Sequence, residues 1–337
     1  MVLLLFCFIG CQSDLHELTW RGSTMGTTYQ VKITGVDLST EQYDNLHSEI
    51  ETALKEINRQ MSTYDPQSEI SRFNSYHGTD PQPVSAQFAQ VVKASNEISV
   101  KSDGAFDITV GPLVDLWGFG IKGKRTGIPS EKEIKASLKQ IGFRNLHVVG
   151  DTLLKKDLPG LKIDLSAIAK GYGVDVIAGI IIKHGFENYL VEIGGEVMAY
   201  GINAHREPWK IGIDRPEYAN LPGQQIEGVL ALENAAVATS GDYRNFFDFE
   251  GKIYSHTIDP KSGWTVKHNL ASATVIAQEC MLADALATAV MALGPELGLR
   301  LIENLPGIEV LLILRMDNND FSEQQSSGFA KYLHEHR

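Results

Sequence analysis

Apolar positions along this chain recur with one of two periods, and the changes of period mark out its elements. Tyr43, Leu46, Ile50, Leu54, Ile57 and Met61 fall three and four residues apart, which predicts a long amphipathic helix over 39–62 with a charged outer face. The turn sequence Thr63-Tyr64-Asp65-Pro66 stops it, and SEISRFN predicts a short helix beyond. Phe88, Val91, Val92, Ser95 and Ile98 predict another from Ser85, and Ser130 with Glu133 makes a capping box for one through Ile134, Leu138 and Ile141 that closes at Gly142. Near the end, 281–293 and 296–304 read as two helices separated by Gly294-Pro295.

Period two takes over elsewhere. Thr27, Tyr29, Val31 and Ile33 alternate with Thr28, Gln30 and Lys32, predicting a half-buried strand entered through a turn-rich loop, GSTMGT. Strands are also expected over 189–200, 209–214, 228–233, 236–240, 271–277 and 309–315, with a hairpin at 147–154 around Gly150-Asp151. AFDITVGPLVDLWGFG holds too many Gly, Pro and aromatic residues for a plain strand. Strands in succession without helices between them favour an antiparallel or mixed sheet. With no internal repeat or low-complexity linker, the expectation is one continuous α+β unit over 19–315, followed by a polar tail over 316–337.

The stretch LKIDLSAIAKGYGVD, 161–175, places unusual polar groups at a junction. Ile163 and Leu165 read as a buried strand, Ser166 as an N-cap, and Ile168, Val176, Ile177, Ile180 and Ile181 as a helix ended by Gly185. A helix start favours phosphate, whereas Asp164 beside it would face a donor or a cation, and Lys170 could reach an anion held there. The plainer alternative is that Asp164 assists the cap and Lys170 is a solvated charge.

Composition then narrows the classes. The 337 residues, 43% hydrophobic and 21% charged, suit a globular protein, and the net charge of −12 argues against a nucleic-acid partner. Cys7, Cys11 and Cys280 are scattered, with neither a CxxC pair nor a His at zinc-ligand spacing, so a disulfide framework and a structural zinc are not expected. The opening MVLLLFCFIGC is too short to span a bilayer and resembles a bacterial lipoprotein processing site, which implies export and lipid anchoring through Cys11. A basic segment before the apolar run is missing, so the natural start is expected upstream of Met1.

Asp284 and Thr288 stand four apart in the otherwise apolar CMLADALATAVMALG. A carboxylate, a hydroxyl and a backbone carbonyl are hard oxygen ligands of the kind magnesium takes beside a nucleotide; the alternative is an Asp bonded to a backbone amide and a Thr packed in the core. Met25, Tyr64, Phe106, Asp107 and the His256-Thr257-Ile258-Asp259 turn also mix chemistry with small residues, though each has a structural reading and a lone His is often a satisfied buried group. GxGxxG, GxxxxGK[ST] and GxSxG are absent.

As an ordered set, GSTMGT, STYDP, GAFDITVGPLVDLWGFG, DLSAIAKGYGVD, SGDYRNFF, SHTIDPKSG and DALATA closely resemble the ApbE family, the FAD:protein FMN transferases, over 19–315. The resemblance implies a T-fold-like α+β architecture with mixed or antiparallel sheets flanked by helices. It also implies transfer of the FMN half of FAD onto a threonine hydroxyl of target flavoproteins in membrane redox complexes or periplasmic reductases, with magnesium required and AMP released. Carried over by position, FAD contacts fall on Met25, Tyr64, Ala105, Phe106, Asp107, Asp164, Lys170, His256, Thr257 and Ile258, and metal ligands on Asp284, Thr288 and the Ala167 carbonyl.

His256 is the expected general base, with Asp284 second, since a metal-bound carboxylate is a poor base. Two departures from the family pattern are Ser166-Ala167 in place of a glycine pair and Glu196 where Asp is common. Competing readings are FAD hydrolysis to FMN and AMP, and a lipid-anchored FAD carrier without chemistry. The expected location is the outer face of a membrane; Gln12 after Cys11 points to outer-membrane sorting, while family acceptors lie in inner-membrane complexes.

Overall fold

Strand pairing organises the molecule, described for residues 13–120, 123, 125, 127–218, 223–317 and 320–334 of a computed structural model. Cys11 and the segment 1–11 lie outside the described residues. Eight strands form one antiparallel sheet in the order Glu17–Thr24, Thr27–Thr34, Tyr189–Ile193, Glu196–Tyr200, Asn234–Gly241, Leu270–Ala277, Glu309–Arg315 and Phe321–Gln325.

Alternate side chains divide the sheet into two faces. On one, Tyr29, Val31, Ile33, Val191 and Ile193 pack on Leu46, Ile50 and Leu54 of the Thr40–Met61 helix and on Val174, Ile177 and Ile181 of the Ala169–Lys183 helix. Further along that face, Ala273, Val275, Val310 and Leu312 pack on Ala283, Leu286, Ala287 and Val290 of the Cys280–Leu293 helix. The other face buries Leu190, Val197, Val237 and Ile313 beneath the hairpin of Trp209–Asp214 and Ile226–Leu232. Helices are thus segregated to one side of an antiparallel sheet, the α+β class read from the sequence.

The long helix carries its capping box at Ser39 and Gln42, and Ser85 and Ser130 cap the helices expected to follow them. The helix from Ser130 stops at Leu138, however, and Ile141 packs with Trp117 and Leu113 instead. Within GSTMGT, all but two residues are strand, and the turn is confined to Met25 and Gly26, both with positive φ (49° and 74°). The expected strand 189–200 is a hairpin, because Gly194 and Gly195 (φ 63° and 103°) make the two-residue turn that such φ values allow.

The polar tail is not merely a tail. Phe321–Gln325 is the last strand of the sheet and Phe329 is fully buried, so the folded unit runs past 315 and begins at Glu17. FSEQQ has no apolar face because it is an edge strand, which leaves no periodic signal. Residues 161–165 are not a strand either. The Ile163 N–H and carbonyl are both bonded by the Asn74 side chain (2.8 Å each), and Asp164 Oδ1 accepts the Ser166 N–H at 2.8 Å. The following helix begins at Ala169 with Ile168, not Ser166, at its N-cap.

Two helices then cross at backbone contact. A Cβ on Gly171 would lie 2.4 Å from the Cys280 carbonyl oxygen and 2.8 Å from Met281 Cα, so no side chain fits. Across this contact, Asp175 caps the partner helix, its two oxygens accepting the Cys280 and Met281 N–H groups at 2.8 Å each. Burial nevertheless pushes the Asp175 carboxyl up to about 6, against those two bonds, which lower it. In urea unfolding, Asp175→Ala should cost about 2–3 kcal/mol, since it strands two partly buried helix-start donors; a loss under ~0.5 kcal/mol would show that water replaces the cap.

Candidate active site

Beside this crossing opens a cleft of about 380 Å³. One wall is a stripe of the Cys280–Leu293 helix, Asp284, Thr288 and Ala292, at four-residue spacing and hence on one face. Much of the rest comes from Ala105–Ile108, the 164–170 stretch, the Gly194 turn, the end of the Asn234–Gly241 strand and the His256–Ile258 turn.

Tyr64, Ala105, Phe106, Asp107, Asp164, Ala167, Lys170, His256, Thr257, Ile258, Asp284 and Thr288 all line the cleft. Met25 does not. It sits on its hairpin turn, lines a separate hollow with Thr24, Thr28 and Glu51, and packs on both large apolar clusters, its methyl 2.9 Å from where a Cβ of Gly173 would be. Asp107 is also spent internally: its carboxylate accepts the Thr109 N–H and hydroxyl (2.7 Å each) and the Phe143 N–H (2.9 Å). That caps a 3-10 turn, so what Asp107 offers a ligand is backbone. Tyr64 stands at the rim, 78% exposed.

The Gly171 N–H donates to Asp284 Oδ2 at 3.0 Å instead of to the Ala167 carbonyl four residues back. That bond has two effects. It fixes the buried Asp284 carboxylate while leaving its other oxygen over, and it leaves the Ala167 carbonyl without a helical donor. Thr288 makes no hydrogen bond to another described residue through its hydroxyl. Three residues that line the cleft thus carry hard oxygens, a donor chemistry that fits magnesium.

Lys170 Nζ lies 2.5 Å from Glu196 Oε1. Burial pushes Glu196 up to about 7 and also raises Asp284; for Lys170, burial works against the charge, but the Asp284 and Glu196 carboxylates outweigh it and raise the amine. Glu196 Oε2 is buried without a partner. Among the described lining residues, the carboxyl groups of Asp164, Glu196 and Asp284, besides the internally bonded Asp107, stand with two fixed cations, Lys170 and Arg244. An added cation would ease the entry of an anionic ligand beside these carboxyl groups, which is a second reason the residues suit a metal.

His256 completes the site. Its Nδ1 is 3.0 Å from the Asn245 carbonyl, an acceptor only, so Nδ1 carries the proton and Nε2 the lone pair. Burial holds its pKa below the ordinary 6.5, keeping the ring neutral at pH 7. Sequence reasoning missed Arg244, Asn245, Thr239 and Ser240, although SGDYRNFF contains three of them.

Oxygen donors suited to a hard cation, basic side chains and a neutral imidazole are the chemistry that a phosphate-bearing ligand needs. The profile of the ApbE family matches residues 25–312. Curated relatives called FAD:protein FMN transferase include one from Vibrio cholerae, 41% identical over 98% of this chain and 96% of its own, and one from Escherichia coli K12, 36% identical over 97% and 94%. Among solved structures, the flavin transferase ApbE from Vibrio cholerae superposes with a TM-score of 0.84 at 40% identity, covering 95% of this chain and all of that one. The apo flavinyl transferase ApbE of Pseudomonas stutzeri also gives 0.84, at 37% identity over 95% and 97%. The chain belongs to the ApbE family.

Glu196 supplies a test of the site's electrostatics. Its folded pKa is raised, so the stability it contributes is complete below about 4.5 and lost as pH climbs through about 7. Glu196→Gln should therefore gain stability relative to the parent between pH 5 and 8, on the order of 1–3 kcal/mol by chemical unfolding. A difference that stays constant with pH would contradict the assignment.

Proposed function

We infer that this chain transfers the FMN portion of FAD to a threonine hydroxyl of target flavoproteins and releases AMP. The observation that carries the reading is the Asp284, Thr288 and Ala167 oxygen set in one cleft with a neutral His256, in a chain whose relatives are named for that transfer. His256 Nε2 takes the proton of the threonine hydroxyl as its oxygen attacks the FMN phosphorus. The bond from that phosphorus to the bridging oxygen breaks, and AMP leaves with the bridging oxygen. Lys170 balances part of the pyrophosphate charge. Magnesium, held by Asp284, Thr288 and the Ala167 carbonyl, would supply the remaining neutralisation.

The reading extends to location. A lipid on Cys11 would hold the protein on the outer face of a membrane, within reach of exported acceptors.

Intact mass of a domain bearing a threonine flavinylation motif, incubated with the protein, FAD and magnesium, tests the reading. A gain of one FMN unit is expected; AMP without that gain would mean hydrolysis, and neither product a flavin carrier. The pH profile tests His256. Because its pKa lies below 6.5, kcat/KM should be flat above pH 7 and fall only below 6.5 as the ring is protonated. His256→Ala should lower kcat by about 10²- to 10⁴-fold and abolish that acid limb. An acid limb retained in the variant would remove His256 as the base.

A further inference from the structure

Besides Lys170, the described residues that line the cleft include the fixed cation Arg244, three residues beyond the strand Asn234–Gly241. Its Nη2 donates to Asp214 Oδ2 at 3.1 Å, and its head lies 5.6 Å from the centre of the Tyr243 ring. A guanidinium carries five N–H donors, so Asp214 orients the fork without exhausting it. The side chain is 37% exposed, open to a ligand.

The Gly194-Gly195 turn brings the two cations together. A Cβ on Gly194 would lie 3.3 Å from Lys170 Cδ, and one on Gly195 would lie 3.8 Å from Arg244 Nη1 and 3.9 Å from Nη2. Lysine and arginine thus flank one two-residue turn, each set by its own carboxylate, Glu196 and Asp214. The positive φ of both glycines lets the chain reverse there, and the missing side chains keep the space between turn and cations open.

We propose that Arg244 anchors the pyrophosphate of the dinucleotide across the Gly194-Gly195 turn from Lys170, the two forming a clamp. The identity of the anion rests on the function inferred above. A planar fork grips two phosphate oxygens at once, which an ammonium does not, so Arg244 supplies orientation where Lys170 supplies charge. Asp214 is then a positioning residue, holding the fork from the side away from the ligand.

Calorimetric titration of the protein with ADP and with adenosine, both in magnesium, tests the clamp. Arg244→Gln should weaken ADP about 10- to 100-fold and leave adenosine within twofold; Arg244→Lys should recover only part of the loss, because charge returns without the fork. In the transfer reaction, KM for FAD should rise in step while KM for the acceptor stays unchanged. Unaltered ADP binding in Arg244→Gln, or equal losses for ADP and adenosine, would overturn the clamp alone. A parent protein that binds no ADP would overturn the dinucleotide reading and the clamp with it.

Discussion

Where the helices Ala169–Lys183 and Cys280–Leu293 cross, Gly171 sits against the Cys280 carbonyl with no room for a methyl group, and the active cleft follows from that contact. Backbones this close can exchange hydrogen bonds with each other's side chains. Asp175 of the first helix takes the opening N–H groups of the second, and Asp284 of the second takes the Gly171 N–H of the first. The second bond diverts from the Ala167 carbonyl its usual helical donor, which leaves that oxygen over.

Charge sets what the cleft can hold. Among the described lining residues carboxyl groups outnumber fixed cations, and Glu196 retains a buried oxygen without a partner. A site so arranged is unfavourable to a bare pyrophosphate and favourable to one that arrives with a divalent ion. Lys170 and Arg244 flank one glycine turn, so their positive charge is concentrated there. The imidazole of His256 is kept neutral by burial and oriented by a carbonyl, in the state that accepts a proton.

Much of this was legible in the sequence, and what escaped did so for physical reasons. The long helices announced themselves because each buries one face, and Asp284, Thr288 and Lys170 because a polar group in an apolar run needs an explanation. Phe321–Gln325 stayed hidden because its pairing partner supplies the order that its own pattern lacks. Residues 161–165 look like a strand but have Asn74 for a neighbour, a contact 89 residues away that periodicity cannot register. Met25, though part of a family motif, is placed against apolar clusters and outside the cleft. Arg244 is invisible as a cleft cation until the Gly194-Gly195 hairpin is folded beneath it.

The central claim is that the helix crossing assembles a cation site from Asp284, Thr288 and the Ala167 carbonyl. The most direct measurement is a crystal structure of the protein with ADP and manganese, read by anomalous scattering. The account predicts one peak bonded to all three oxygens. A peak elsewhere in the cleft, or one that ignores Ala167, would contradict it.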